Sequence, residues 1–241
     1  MSIPESILII RLSALGDVIH VLPTLEALRA AYPRAKIGWA VEDKASSLLE
    51  NHPSLDRLHV IPRQSLTRSL KKGQLTTFRT EALGGLRQIR RERYQLALDF
   101  QSNFRSAALT RLSGASQRIG QPPPFSKEGS RLFYTQSQAA VAKEVHKIER
   151  NLELLRPLGI RPETTPRPTL PPRPALELPP SRRPGGGEWL GTVAVHPGVS
   201  VFGALKAWRP ERFAALGTAL VAAGLRVLYL WGGAQEADQV A

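Results

Sequence analysis

An unbroken aliphatic run, Ile7-Leu-Ile-Ile10, stands near the head of the chain and empties into Arg11-Leu-Ser-Ala-Leu-Gly-Asp17. Four consecutive apolar residues with no polar alternation fit a strand covered on both faces, as in a parallel sheet flanked by helices. Leu22, Leu25 and Leu28 then recur at helical spacing, so a strand–turn–helix unit opens the fold. That unit places Arg11, Ser13, Gly16 and Asp17 at the strand's carboxyl end, the edge at which open α/β sheets hold ligands. Two readings of Gly16-Asp17 stay open at this level: a helix cap, a task Asp performs well, or a carboxylate delivered to chemistry.

Composition narrows the class. With 241 residues and 42% hydrophobic content, the chain can bury one substantial core and part of a second. The opening apolar run is too short for a membrane span and is followed too soon by Arg11 and Asp17 for a secretory leader. The absence of cysteine excludes disulfides and thiolate metal sites and fits a reducing compartment, so the expected location is the cytoplasm. A net charge of +13 attracts polyanions: nucleic acid, an anionic membrane surface or phosphorylated substrates. Arg87, Arg90, Arg91 and Arg93 read as a solvated helix face. No zinc-finger spacing, aromatic RNA-binding signature or recognition helix is present, so nucleic acid is not an expected partner.

Strand and helix signals alternate through the first 120 positions, which predicts βαβ units. Strands are expected at 37–41, 58–61, 94–100 and 118–120, with a helix through Leu83, Leu86 and Ile89 and another through Ala107, Ala108, Leu109 and Leu112. The basic stretch 63–74 lacks clear periodicity and is expected to be a mobile loop. Val145, Ile148, Leu152 and Leu155 share a helical face that Pro157 and Gly159 close. The predicted layout is therefore a Rossmann-like domain over 1–160, a Pro/Gly-rich linker over 161–187 and a second domain over 188–241. That last segment restarts the pattern, with strands at 191–195 and 225–231 around a helix opened by Pro210, and is shorter than the usual domain of about 100–150 residues. It is expected to be incomplete, with the natural protein continuing past Ala241.

Two further loops follow strands. His196-Pro-Gly198-Val-Ser200 with Lys206-Ala-Trp208 brings small residues and a cation to one turn, a composition suited to phosphate, although His-Pro-Gly is also an ordinary turn. Trp231-Gly-Gly-Ala-Gln-Glu236 offers a carboxylate after glycines, or simply an acid in a first helical turn. The dinucleotide fingerprint, the phosphate loop and the nucleophile elbow are all missing. His20, His52, His59, His146 and His196 lack metal-ligand spacing, and there is no Asp-x-Asp pair, so a diphosphate would be met by Lys, Arg and backbone dipoles.

Taken together, Arg11-Leu-Ser13-Ala-Leu-Gly16-Asp17-Val-Ile-His20-x-x-Pro23, Asp99-Phe-Gln101, Arg118-Ile-Gly120, His146-x-x-x-Arg150-Asn151 and His196-Pro-Gly198 with Lys206-x-Trp208-x-x-Glu-Arg-Phe213 resemble the bacterial heptosyltransferases of glycosyltransferase family nine, in the family's order and most closely its first-transfer members. The resemblance implies a GT-B type α/β fold, two Rossmann-like domains facing a cleft. It implies an inverting, metal-independent and cofactor-free transfer of heptose from ADP-heptose to the anionic Kdo-lipid A core of lipopolysaccharide. Carried over by motif, Asp17 is the general base, and Lys206 stabilises the departing diphosphate from the other side of the cleft. Arg11, Ser13, Arg63 and Arg105 face the acceptor, while His196, Gly198, Ser200, Lys206 and Glu236 face the donor. Peripheral contact with the inner face of the inner membrane follows from that acceptor. The family's Asp-Thr/Ser-Gly-x-x-His segment does not occur here, which leaves a non-catalytic acceptor-binding module as the competing reading. A nicotinamide-dependent oxidoreductase is disfavoured by the missing glycine fingerprint.

Overall fold

The computed structural model describes residues 3–136, 142–171, 191–199 and 207–231. The chain divides into two compact units, Met1–Arg173 and Pro174–Ala241.

In the first unit, β1 (Ser6–Ile10) is the middle strand of a five-stranded parallel sheet ordered β3-β2-β1-β4-β5, with β2 at Lys36–Glu42, β3 at Arg57–Ile61, β4 at Leu96–Asp99 and β5 at Gln117–Gly120. The run Ile7 to Ile10 is fully buried because successive side chains enter opposite layers. Ile7 and Ile9 join Leu22, Leu25 and Leu28 of helix α2 (Leu22–Ala31) and Leu154 and Leu155 on one face. Leu8 and Ile10 join Ile89 of helix α4 (Leu75–Arg91), Tyr94 and Ala115 on the other. Each such side chain contributes about 1.5–3 kcal/mol of burial. The chain winds outward from β1 to β3, then crosses back to β4 and β5, so the strand order reverses between β1 and β4. Such a reversal opens a crevice at the carboxyl ends of those two strands.

Helical segments differ from the sequence expectation in three places. The first helix is two: a short α1 (Leu15–Ile19) and then α2, separated at His20 and Val21. Residues 63–74 are not a mobile loop. Their first nine residues form helix α3 (Arg63–Lys71), which packs on α4. Its apolar stripe is short, with Leu66 half-buried and Ser69 buried, and rests on a neighbouring helix, so little of it shows as local periodicity. Helix α5 (Phe104–Leu112) is opened by a capping box between Asn103 and Ser106. Helix α6 (Lys147–Glu153) is shorter than its apolar spacing suggests, since Val145 precedes the cap residue His146 and Leu154-Leu155 reach the core from the turn that follows.

In the second unit, β6 (Thr192–Val195) pairs in parallel with β7 (Arg226–Tyr229) through helix α7 (Pro210–Ala222), whose proline occupies the first turn. The Tyr229 hydroxyl donates to the Phe213 carbonyl at 2.8 Å, across a spot that only Gly217 leaves open. Among the described residues, no helix is long and apolar enough to cross a membrane.

Candidate active site at the carboxyl edge of the first sheet

Asp17 sits at the switch-point crevice. Helix α1 starts after Ala14, and Asp17 makes no capping bond; its carboxylate instead pairs with the Arg11 guanidinium and, through Oδ1, with Lys147 Nζ at 2.9 Å. His20 Nδ1 stands 3.9 Å from the same oxygen. Arg11 is held in turn by donating to the Phe100 carbonyl at 2.8 Å. The N–H groups of Leu12 and Ser13 donate to Gln101 Oε1 at 3.0 and 3.4 Å, and Trp39 Nε1 donates to the Arg11 carbonyl at 3.2 Å. The loops after β1 and β4 are thus stitched to each other, with Asp17 at their mouth.

Electrostatics keep this carboxylate ionised. Partial burial pushes the Asp17 carboxyl up, but the Lys147 hydrogen bond and the Arg11 charge outweigh that penalty and hold it below the ordinary carboxylate value. Burial pulls the Arg11 guanidinium down while Asp17 pulls it up; a guanidinium stays charged across the physiological range, so the pair is ionic. The ionisation of Asp17 therefore comes from two cations, and α1, five residues long, contributes little.

More positive charge lies nearby. The Arg150 guanidinium stacks 3.8 Å over the Phe125 ring, lowered by burial and by repulsion from Arg11, with Asp17 opposing. His146 meets His20 edge to face at 5.9 Å. Asn151 fixes the α1–α2 break by donating to the His20 carbonyl at 3.0 Å, while its own oxygen accepts from Gln121 at 3.0 Å. Arg11, Lys147 and Arg150 thus surround one carboxylate with more charge than it neutralises, an arrangement that favours an anionic guest.

A second cluster forms at the end of β2. Glu42, buried, pairs with Arg105 at 2.8 Å and meets Arg63 at 4.0 Å, so two of the expected acceptor-facing arginines converge on one carboxylate. Asp99, at the end of β4, is fully buried: Oδ1 accepts from the N–H groups of Gln101 and Ser102 at 2.9 Å, and Oδ2 from the Tyr134 hydroxyl at 2.9 Å. Burial pushes its pKa up against those donors. Tyr134 reaches it only because position 120 is Gly, since a Cβ there would overlap the ring.

The crevice brings Arg11, Ser13 and Asp17 together, with Arg63 and Arg105 gathered on Glu42. In the second unit, His196 is exposed and Gly198 half-buried, in the loop after β6. Ser200, Lys206 and Glu236 lie outside the described residues. Sequence reasoning did not single out Lys147. Gln101, His146, Arg150 and Asn151 entered only as parts of a motif. Lys147 carried no local signal, because its partner is 130 positions away. Among the described residues, no three His, Cys, Asp or Glu side chains converge to hold a metal.

A parallel sheet whose switch point presents one ionised carboxylate among surplus cations defines a Rossmann-like α/β protein suited to an anionic ligand. The chain belongs to glycosyltransferase family 9, the heptosyltransferases, whose family model matches residues 85–241. It is 29% identical over 154 residues to lipopolysaccharide heptosyltransferase 1 of Pseudomonas aeruginosa, covering 61% of this chain and 41% of that protein. It is 30% identical over 149 residues to the enzyme of the same name from Salmonella typhimurium, covering 61% and 46%. The chain thus spans less than half the length of these curated relatives. Its GT-B type fold is shared with E. coli heptosyltransferase WaaC with ADP, at a TM-score of 0.71 and 24% identity over 97% of this chain and 69% of that one. A family 9 glycosyltransferase from Veillonella parvula gives 0.70 and 22% over 98% and 64%.

Proposed function

We propose that this chain carries the acceptor-side machinery of a lipopolysaccharide heptosyltransferase, which moves heptose from ADP-heptose to Kdo-lipid A by one inverting, metal-independent displacement. The observation that carries the reading is Asp17, ionised and cation-flanked at the sheet's switch point in a family 9 chain. Support for the donor comes from the relatives' names and from WaaC having been solved with ADP and with ADP-2-deoxy-2-fluoro heptose.

In the proposed step, an acceptor hydroxyl oxygen bonds to the anomeric carbon as the bond to the diphosphate breaks, and the hydroxyl proton passes to a carboxylate oxygen of Asp17. Attack opposite the leaving group inverts that centre, and ADP departs with the electron pair. Lys147 and Arg11 weaken Asp17 as a base while they hold it. An anionic acceptor that competes for Lys147 loosens this hold and raises the basicity of Asp17 when substrate is present. Arg63, Arg105 and Ser13 are assigned to acceptor anions and hydroxyls. His196, Gly198, Ser200, Lys206 and Glu236 are assigned to the donor, with Lys206 offsetting the charge that develops on the diphosphate. The proposed layout is an acceptor domain over 1–160, a linker over 161–187 and a donor domain from 188 onward. The proposed location is cytoplasmic, at the membrane's inner face.

The test is ADP release from ADP-heptose with Kdo-lipid A in the presence of EDTA, with the anomeric configuration of the product read by NMR. Any turnover is expected to proceed with inversion and to survive chelation. Retention, or loss of turnover on chelation, overturns the mechanism. Acceptor binding without ADP release selects the non-catalytic module instead.

A further inference from the structure

The hairpin of α3 and α4 projects from the same sheet edge as Asp17. Helix α4 runs back toward the start of β4, and Gly85, midway along it, packs on Ile61 at the carboxyl end of β3. The ten residues of α4 before Gly85, about 15 Å of helix, therefore lie on the far side of that contact. Helix α3 accompanies them, joined by Ser65 Oγ donating to Glu81 at 2.8 Å. The turn at the tip is well defined: Gln74 N–H donates to the Ser69 carbonyl at 2.9 Å, and Gly73 takes the left-handed φ of +68° that a side chain would disfavour.

Every residue from 70 to 77 is exposed. Leu70 and Leu75 are 56% and 60% exposed on either side of Lys71 and Lys72, with Arg68 and Arg79 behind them. No carboxylate occurs between Asp56 and Glu81, and none of these four cations makes an ion pair among the described residues. Two leucines held out in water with unpaired cations around them match a bilayer interface, where acyl chains take the leucines and anionic headgroups the lysines. A nucleic acid would satisfy the charges and leave the leucines in water.

We infer that the α3–α4 tip is a membrane-docking element that inserts Leu70 and Leu75 at the surface of an anionic phospholipid bilayer. The inference rests on the reading above only for the lipid-linked acceptor that gives docking its purpose. An edge held against the membrane presents the Asp17 crevice to a substrate that never leaves the bilayer.

Co-sedimentation with vesicles of phosphatidylethanolamine and phosphatidylglycerol, free of acceptor, tests it directly. The chain is expected to bind these at least about 10-fold more tightly than phosphatidylcholine vesicles, with salt weakening the binding. Lys71→Glu/Lys72→Glu is expected to lose about 10-fold or more, and Leu70→Ser/Leu75→Ser about 5-fold or more, both with unchanged circular dichroism. In Leu75→Trp, tryptophan emission should shift to the blue on vesicle addition beyond any change in the wild type. Absence of vesicle binding, equal binding by both double variants, or no added blue shift overturns the docking role. Turnover on an acceptor stripped of its acyl chains should be the same in the double variants and the wild type; a drop there would place the hairpin in the active site and also overturn it. If the wild type transfers no heptose at all, the functional reading fails while the vesicle results still decide the docking surface.

Discussion

Asp17 and Asp99 follow adjacent strands of one sheet, at the same edge, yet their surroundings are opposite. Asp17 is 27% exposed and held by Arg11 and Lys147, which depress its pKa. Asp99 is fully buried among backbone N–H groups and the Tyr134 hydroxyl, and burial raises its pKa. The first is charged, reachable and bordered by surplus cations. The second organises the 100–103 loop that supplies Gln101 and the Phe100 carbonyl to the first. Two acids at one edge thus divide into a charged, reachable carboxylate, the one proposed as the base, and the scaffold that positions it, and the division comes from their neighbours.

The largest expected effect would break that division outright. Asp17→Asn should lower transfer by about 10²–10⁴-fold while shifting unfolding free energy by no more than about 1 kcal/mol, since the ion pair it removes is partly solvated. Transfer kinetics beside denaturant titration check both halves. Asp99→Ala should do the reverse in kind, destabilising the fold by about 3 kcal/mol or more because several buried donors lose their acceptor, as read from the denaturation midpoint. Lys147→Met sharpens the contrast at Asp17 alone: removing one cation should move the acidic limb of the rate profile upward and change stability by less than about 1 kcal/mol.

The smallest expected effect is in the pH dependence of stability, where the two acids tilt it in opposite senses. Asp17, with a folded pKa below its ordinary 3.8, contributes stability that is present above that value and lost as pH falls through the folded value. Asp99, raised above 3.8, stabilises the protonated fold, and its contribution declines as pH climbs from 3.8 through the folded value. Denaturation of wild type, Asp17→Asn and Asp99→Asn across that range should show each variant losing one of the two slopes.

Much of the scaffold was legible because it rests on local patterns. Ile7 to Ile10 announced a two-sided strand, and Pro210 and Ala222 bounded α7 as its spacing predicted. Helix α3 was not legible, because its short stripe makes sense only against α4. At the site, Asp17 could be picked out from its strand–turn–helix setting and family motif. Its partners could not all be assigned, since Lys147 comes from a distant helix. Arg11, assigned to the acceptor through the family resemblance, is the clamp on Asp17. Charge pairing across 130 positions leaves no periodicity to read.

The hold of Lys147 on Asp17, and of Asn151 on the carbonyl of His20, has a bearing on how this fold can be shortened or recombined. A fragment ending before position 147 would keep the sheet's opening strand and the acid beside it, yet lose the ammonium counterion and the amide that pins the adjoining helical break. Chimeras between homologues that exchange the first βαβ unit should therefore retain function only when the α6 segment travels with it, making two distant stretches a single heritable part.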